Sequence, residues 1–257
     1  MKKPLRLLTY VVAFGVGACD GDSVSEPVIE PPAATVVVAS GAVAAKVTEF
    51  GALLGDPANG GTAGEQPAGR REITWDGAGA NPFNNRNDFP STFFNTNVKA
   101  GAVFTTPGVG FRNDSTQFVD INPTYAAELS AFSPKKIFSP IGSNVMDVMF
   151  QVAGQPTPAT VTGFGAVFSD VDVGGRTTLD FFSAENSLLL HLEVPVRSDA
   201  AGLSFAGAKF SNAIVARVRI TLGTGALGAT TADVSAGGTS DIVVVDNFLF
   251  GEPKRIP

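Results

Sequence analysis

Gly163-Phe-Gly-Ala-Val-Phe-Ser-Asp-Val-Asp172 decides the fold. A short run of apolar and small residues empties into two aspartates, the pattern of a buried central strand running out into an acidic loop. Alternation places Phe164 and Phe168 on one face and Val161 and Val167 on the other, so the strand is expected to be covered on both sides. Its glycines permit close approach by a neighbouring element. Thr178-Leu-Asp-Phe-Phe182 and Asp246-Asn-Phe-Leu-Phe-Gly-Glu252 carry the same aromatic-rich strand signal.

Around this stretch lie seven strand-like runs: Val145 to Val152, Thr160 to Ser169, Thr177 to Phe182, Leu188 to Val194, Ser204 to Phe210, Ile214 to Leu222 and Ile242 to Phe250. Turn residues punctuate nearly every gap, and no strand–helix alternation suggests a parallel sheet. The expected fold is all-β, a jelly-roll β-sandwich with a short N-terminal helix and long loops. Ser40 is expected to cap that helix, in which Val43, Val47, Phe50 and Leu54 form one apolar stripe ended by Gly55. Ile73 and Trp75 share the inner face of a half-buried strand, with Trp75 a core residue. Asn81 to Asn97 reads as an irregular loop anchored by Phe89, Phe93 and Phe94, and Ala102 to Thr105 and Gly110 to Arg112 as short strands. Phe132-Ser-Pro and Phe138-Ser-Pro-Ile read as proline-limited edge segments, Asn122 to Glu128 as one helical turn, and Gly223 to Ser240 as a long mobile loop.

Composition agrees. Among 257 residues only 16% are charged, while Gly (29), Pro (17) and Phe (20) are plentiful, which favours strands and turns. The net charge of -6 excludes a basic nucleic-acid surface.

Residues 1–18 combine Lys2, Lys3 and Arg6 with the apolar run from Leu7 to Val16, too short to span a bilayer, and read as a secretory signal. Val16-Gly17-Ala18-Cys19 resembles the lipobox of bacterial lipoproteins, which implies lipidation of Cys19 and attachment to a membrane surface. Cys19 is the sole cysteine, so no internal disulfide exists to stabilise an exported chain. Loss of residues 1–18 removes three basic groups and no acid, taking the charge to -9. Residues 19–39 are expected to be a flexible tether, and residues 40–257 a single domain.

Gly69 to Gly77, Phe93-Phe-Asn95, Phe104 to Gly108, Gly163 to Asp172 and Asp246 to Pro253 together resemble a widespread group of secreted bacterial proteins to which no activity is assigned. The closing Asp-Asn-Phe-Leu-Phe-Gly also resembles the last strand of carbohydrate-binding jelly-roll modules. That resemblance implies a structural calcium ion held in part by Asp246.

The acidic candidates are Glu72, Asp76, Asp170, Asp172, Asp180, Asp246 and Glu252, and Asp170, Asp172 and Asp246 form the expected calcium set. Asp246 sits among Val243, Val244, Val245 and Phe248 and needs a partner there, either an ion pair with Arg70, Arg71 or Arg219 or a turn-capping hydrogen bond. A lone histidine, His191, falls on the solvated face of its strand. No Gly-X-Ser-X-Gly elbow, zinc-spaced His/Cys cluster or phosphate-cradling loop accompanies it, so no catalytic residue is assigned. The expectation is a lipid-anchored protein of the bacterial cell envelope whose non-catalytic domain binds glycan or another surface ligand. A structural or adhesive protein contacting envelope proteins, and a glycan-cleaving enzyme, stand as alternatives.

Overall fold

The computed structural model describes residues 32–76, 82–199 and 201–256. The signal segment 1–18, Cys19 and the first part of the tether lie outside the described residues. In chain order the elements are β1 (Ala34–Ser40), α1 (Ala44–Leu54), β2 (Arg70–Ile73), α2 (Phe93–Thr96), β3 (Ala102–Thr105), β4 (Gly110–Asp114) and α3 (Tyr125–Glu128). Then follow β5 (Ile137–Ile141), β6 (Val145–Phe150), β7 (Ala159–Thr160), β8 (Gly163–Ser169), β9 (Thr178–Phe182) and β10 (Leu188–Glu193). The last are β11 (Leu203–Phe210), β12 (Arg217–Thr221), β13 (Val244–Gly251) and β14 (Lys254–Arg255).

Two antiparallel sheets make an all-β sandwich. The larger runs β1-β11-β8-β13-β5-β4, with β2 also paired to β13, and the smaller runs β10-β9-β12-β6-β3. Each of the seven expected strand runs of the second half contains a strand, and β3 coincides with its expected span. Phe164, Ala166, Phe168, Phe210, Phe248 and Phe250 of the larger sheet meet Phe104, Val148, Leu179, Phe181, Val218 and Ile220 of the smaller in one buried core. Trp75 belongs to it, stacked on Phe138 with ring centroids 3.9 Å apart. Phe89, Phe93 and Phe94 anchor their loop in the same core.

The outer face of the larger sheet is covered by α1. Val43, Val47, Phe50 and Leu54 pack on Val37, Val167, Phe205 and Leu249, which is why every residue of β8 is buried. The glycines of the opening stretch have a specific role here. Gly165 and Gly207 are paired across β8 and β11, and the Phe50 ring lies over both. A Cβ at Gly165 would sit 2.7 Å from Phe50 Cε1, and one at Gly207 2.9 Å from Cε2. The bare backbone pair is thus the slot that receives the helix.

Four expectations change. Ala34–Ser40, placed largely in the tether, is the edge strand β1 bonded along its length to β11, because Val37 finds a place beneath α1. Ser40 therefore ends a strand, and α1 has Val43 at its N-cap without a side-chain cap. Val161 joins the inter-sheet core rather than sharing Val167's face, since it leaves the β8 ladder and bridges Val215 instead. β5 is interior in strand order, yet it meets β13 only at Val245/Phe138. Its Pro140, which has no N–H to give, lies beyond that bridge.

Gly165→Ala should lower stability by about 1–3 kcal/mol through overpacking against Phe50. Urea unfolding with an unchanged m-value is the measurement, and adding Phe50→Leu should recover part of the loss.

Candidate functional site

A small third core lies under the loop end of the sandwich, where Phe118, Tyr125, Leu129, Leu227, Ile242 and Val244 pack together. It fixes the segments that carry the acidic side chains. Tyr125 Oη donates to Thr231 O (2.8 Å) and Asn122 Nδ2 to the same carbonyl (3.1 Å), which pins the 223–240 loop to α3. That loop, expected to be mobile, is further closed on itself by Val234 N to Ser240 O and Gly238 N to Asp233 O.

Five carboxylates converge there. Glu128, Asp170 and Asp233 bring oxygens within 4.8 Å of one another, and so do Asp172, Asp233 and Asp241. Glu128 ends α3. Asp170 follows β8 at φ 69, in the left-handed region that aspartate tolerates better than most residues. Asp241 accepts from Asp172 N (3.2 Å) and Val173 N (3.1 Å), which fastens the turn after β8 to the start of the closing segment. Asp233 accepts from Ser235 N (2.8 Å) and Ile242 N (2.6 Å), and the Ser235 hydroxyl links Asp233 to Glu128.

Asp170 differs from the others. Like Asp233 and Asp241 it is 0% exposed, but among the described residues neither of its carboxylate oxygens has a hydrogen-bond partner. Among the described residues no ion pair joins a basic side chain to any of the five acids. Burial, then the neighbouring charges led by Asp233, push the Asp170 carboxyl up to about 9 and the Asp172 carboxyl up to about 6. Burial likewise raises Asp241. All the donors are hard oxygens of one charge sign, a set suited to a hard cation.

Of the expected set, Asp170 and Asp172 are brought together and Asp246 is placed elsewhere. Its partners are not arginines. Asp246 Oδ2 accepts from Phe132 N (2.6 Å) and Ser133 N (3.0 Å), and Oδ1 from Asn247 N (2.7 Å) and the Ser133 hydroxyl (3.2 Å). The arginines are engaged otherwise: Arg70 with Asp56 and Glu72, Arg71 with Glu252, and Arg219 with Asp147. Asp76 accepts from the Ser133 hydroxyl. His191 Nδ1 lies 2.5 Å from Asp180 Oδ1 on a half-exposed sheet face, as its strand position predicts.

Glu128, Asp233 and Asp241 escape a reading based on strands. A signal for two of them does exist: Asp233 and Asp241 are the only charged residues between Thr221 and Val245. No family model, curated protein or solved structure matches the chain.

Asp246→Ala strands three part-buried N–H donors and should cost about 2–4 kcal/mol. Burial raises the Asp246 carboxyl to about 6 against backbone N–H groups that pull it down, so the fold binds its proton more tightly than the unfolded chain. That contribution is complete below the ordinary aspartate range and is lost as pH rises through about 6. The stability difference between wild type and Asp246→Ala, followed by urea unfolding from pH 4 to pH 7, should therefore shrink with rising pH.

Proposed function

We propose that the chain is a lipid-anchored, non-catalytic β-sandwich of the bacterial cell envelope that engages a surface ligand of glycan type. The observation that carries the reading is Val16-Gly17-Ala18-Cys19 with its single cysteine, directly after a short apolar run with a basic start. Among the described residues no helix is long and apolar enough to cross a membrane, so on this reading the acyl chains supply the attachment.

The site geometry favours binding over catalysis. Hydrolysis of a glycan needs two carboxyl groups that flank a reachable bond. Asp170 is fully enclosed, and a polymer has no access to it. His191 pairs with Asp180 on an open sheet face, without the enclosure a Ser-His-Asp arrangement uses. Support for a glycan comes from a cleft of ≈ 450 Å³ lined in part by Thr92, Lys99, Gln151 and Gln155, where the Thr92 hydroxyl and the Gln151 and Gln155 amides are groups that exchange hydrogen bonds with sugar hydroxyls, while Asn95 is turned inward to Gln151 and Gly154. Trp75 offers no stacking platform there, being buried in the core.

Cys19→Ser should move the protein from the membrane fraction to the soluble extracytoplasmic fraction, measured by fractionation and immunoblot. A mutant that stays on membranes refutes the anchor. Retention on immobilised envelope polysaccharide, reduced by Gln151→Ala, is the expected outcome for the ligand, and absence of retention removes the glycan.

A further inference from the structure

We infer that Glu128, Asp170, Asp172, Asp233 and Asp241 hold calcium, with Asp170 as the ligand whose oxygens have no other partner. The inference is independent of the anchor and of the glycan. It starts from an energetic conflict. An ionised carboxylate with no hydrogen bond and no basic neighbour is among the most costly things a protein interior can contain, and Asp170 meets that description with both oxygens unpartnered at 0% exposure. Protonation removes the charge but not the conflict, because the neutral group still has a hydroxyl and a carbonyl oxygen to satisfy. A cation bound at the oxygens resolves both.

The neighbours supply the rest of a coordination shell. Asp170 shares one oxygen group with Glu128 and Asp233, and Asp233 shares the other with Asp172 and Asp241. Asp233 is therefore the residue common to both triads. Its own orientation is fixed from the backbone by Ser235 N and Ile242 N, and that of Asp241 by Asp172 N and Val173 N. Both are held in place by donors that leave lone pairs free for a metal. Two overlapping triads of carboxylate oxygens in an irregular, loop-built cradle match calcium, which takes six to eight oxygens, waters included, in flexible geometry. Magnesium is a poorer match, because it demands a near-ideal octahedron and keeps several waters. The absence of sulfur and imidazole from the set disfavours zinc and copper.

The mechanical result is a three-way clasp. One ion cluster joins the end of α3, the turn after β8 and both ends of the loop segment 233–241, which precedes β13.

The test is the melting temperature and calcium content of the folded chain in calcium chloride and in EGTA. Calcium at a hundred times its dissociation constant should raise the melting temperature by about 5–10 °C. Native mass spectrometry should show at least one calcium retained per chain. Asp170→Asn should abolish the shift while melting in EGTA no lower than wild type, since a residue needed only for packing would lose stability in both buffers. Glu128→Gln serves as a second variant and should weaken the response. Three results overturn the inference: no calcium-dependent shift and no retained calcium, an equal shift with magnesium or with matched sodium chloride, or a full calcium response in Asp170→Asn.

Discussion

One buried ion pair fastens the irregular first third of the domain to the segment that follows β13. Arg71, 0% exposed, gives Nε and Nη2 to the two oxygens of Glu252 at 2.6 Å each. Nη1 is directed at the carbonyls of Gly60, Thr62 and Lys99, and Nη2 also reaches that of Gly64. Glu252 completes its own set with Asn59 Nδ2 and Gln66 N. A guanidinium in this position acts as a template on which the loop between α1 and β2 is folded, because each loop carbonyl it captures has one geometry that fits the planar fork. Such a pair contributes less net stability than its bond count suggests, since both charges have been taken out of water. Losing one partner leaves the other uncompensated, at a cost of about 3–5 kcal/mol.

The larger sheet solves a different constraint, that of being buried on both faces. Towards the smaller sheet it presents large aromatics, which fill the space between layers. Towards α1 it presents Val37, Val167, Phe205 and Leu249 around the bare Gly165/Gly207 pair. Removing two side chains where a helix must approach lets one phenylalanine ring, Phe50, substitute for them at van der Waals distance. The same sequence of β8 therefore reads large on one face and vacant on the other.

Strands were legible because alternation and turn residues are local signals, and the helix stripe from Val43 to Leu54 was legible for the same reason. Strand order was not, since β11, β8 and β13 lie side by side although β9, β10 and β12 intervene in the chain. The acidic cluster was half legible. Asp170 and Asp172 stood out at the end of an apolar run, whereas Glu128, Asp233 and Asp241 are brought in by loops whose paths depend on the third small core. For Asp246 the need for a partner was legible and the capping hydrogen bond was one of the readings, but its place in the calcium set was not borne out by its position. The partners turned out to be main-chain N–H groups of Phe132 and Ser133, which no residue type reveals.

β13 is nearly the last element of the chain, and it bonds to β8, β5 and β2 at once. A ribosome delivers a chain from its N-terminus onward. Until residues 244–251 emerge, β8 lacks one of its two neighbours, and Arg71 lacks Glu252. During synthesis the larger sheet thus stays open at β8 until residues 244–251 have been made.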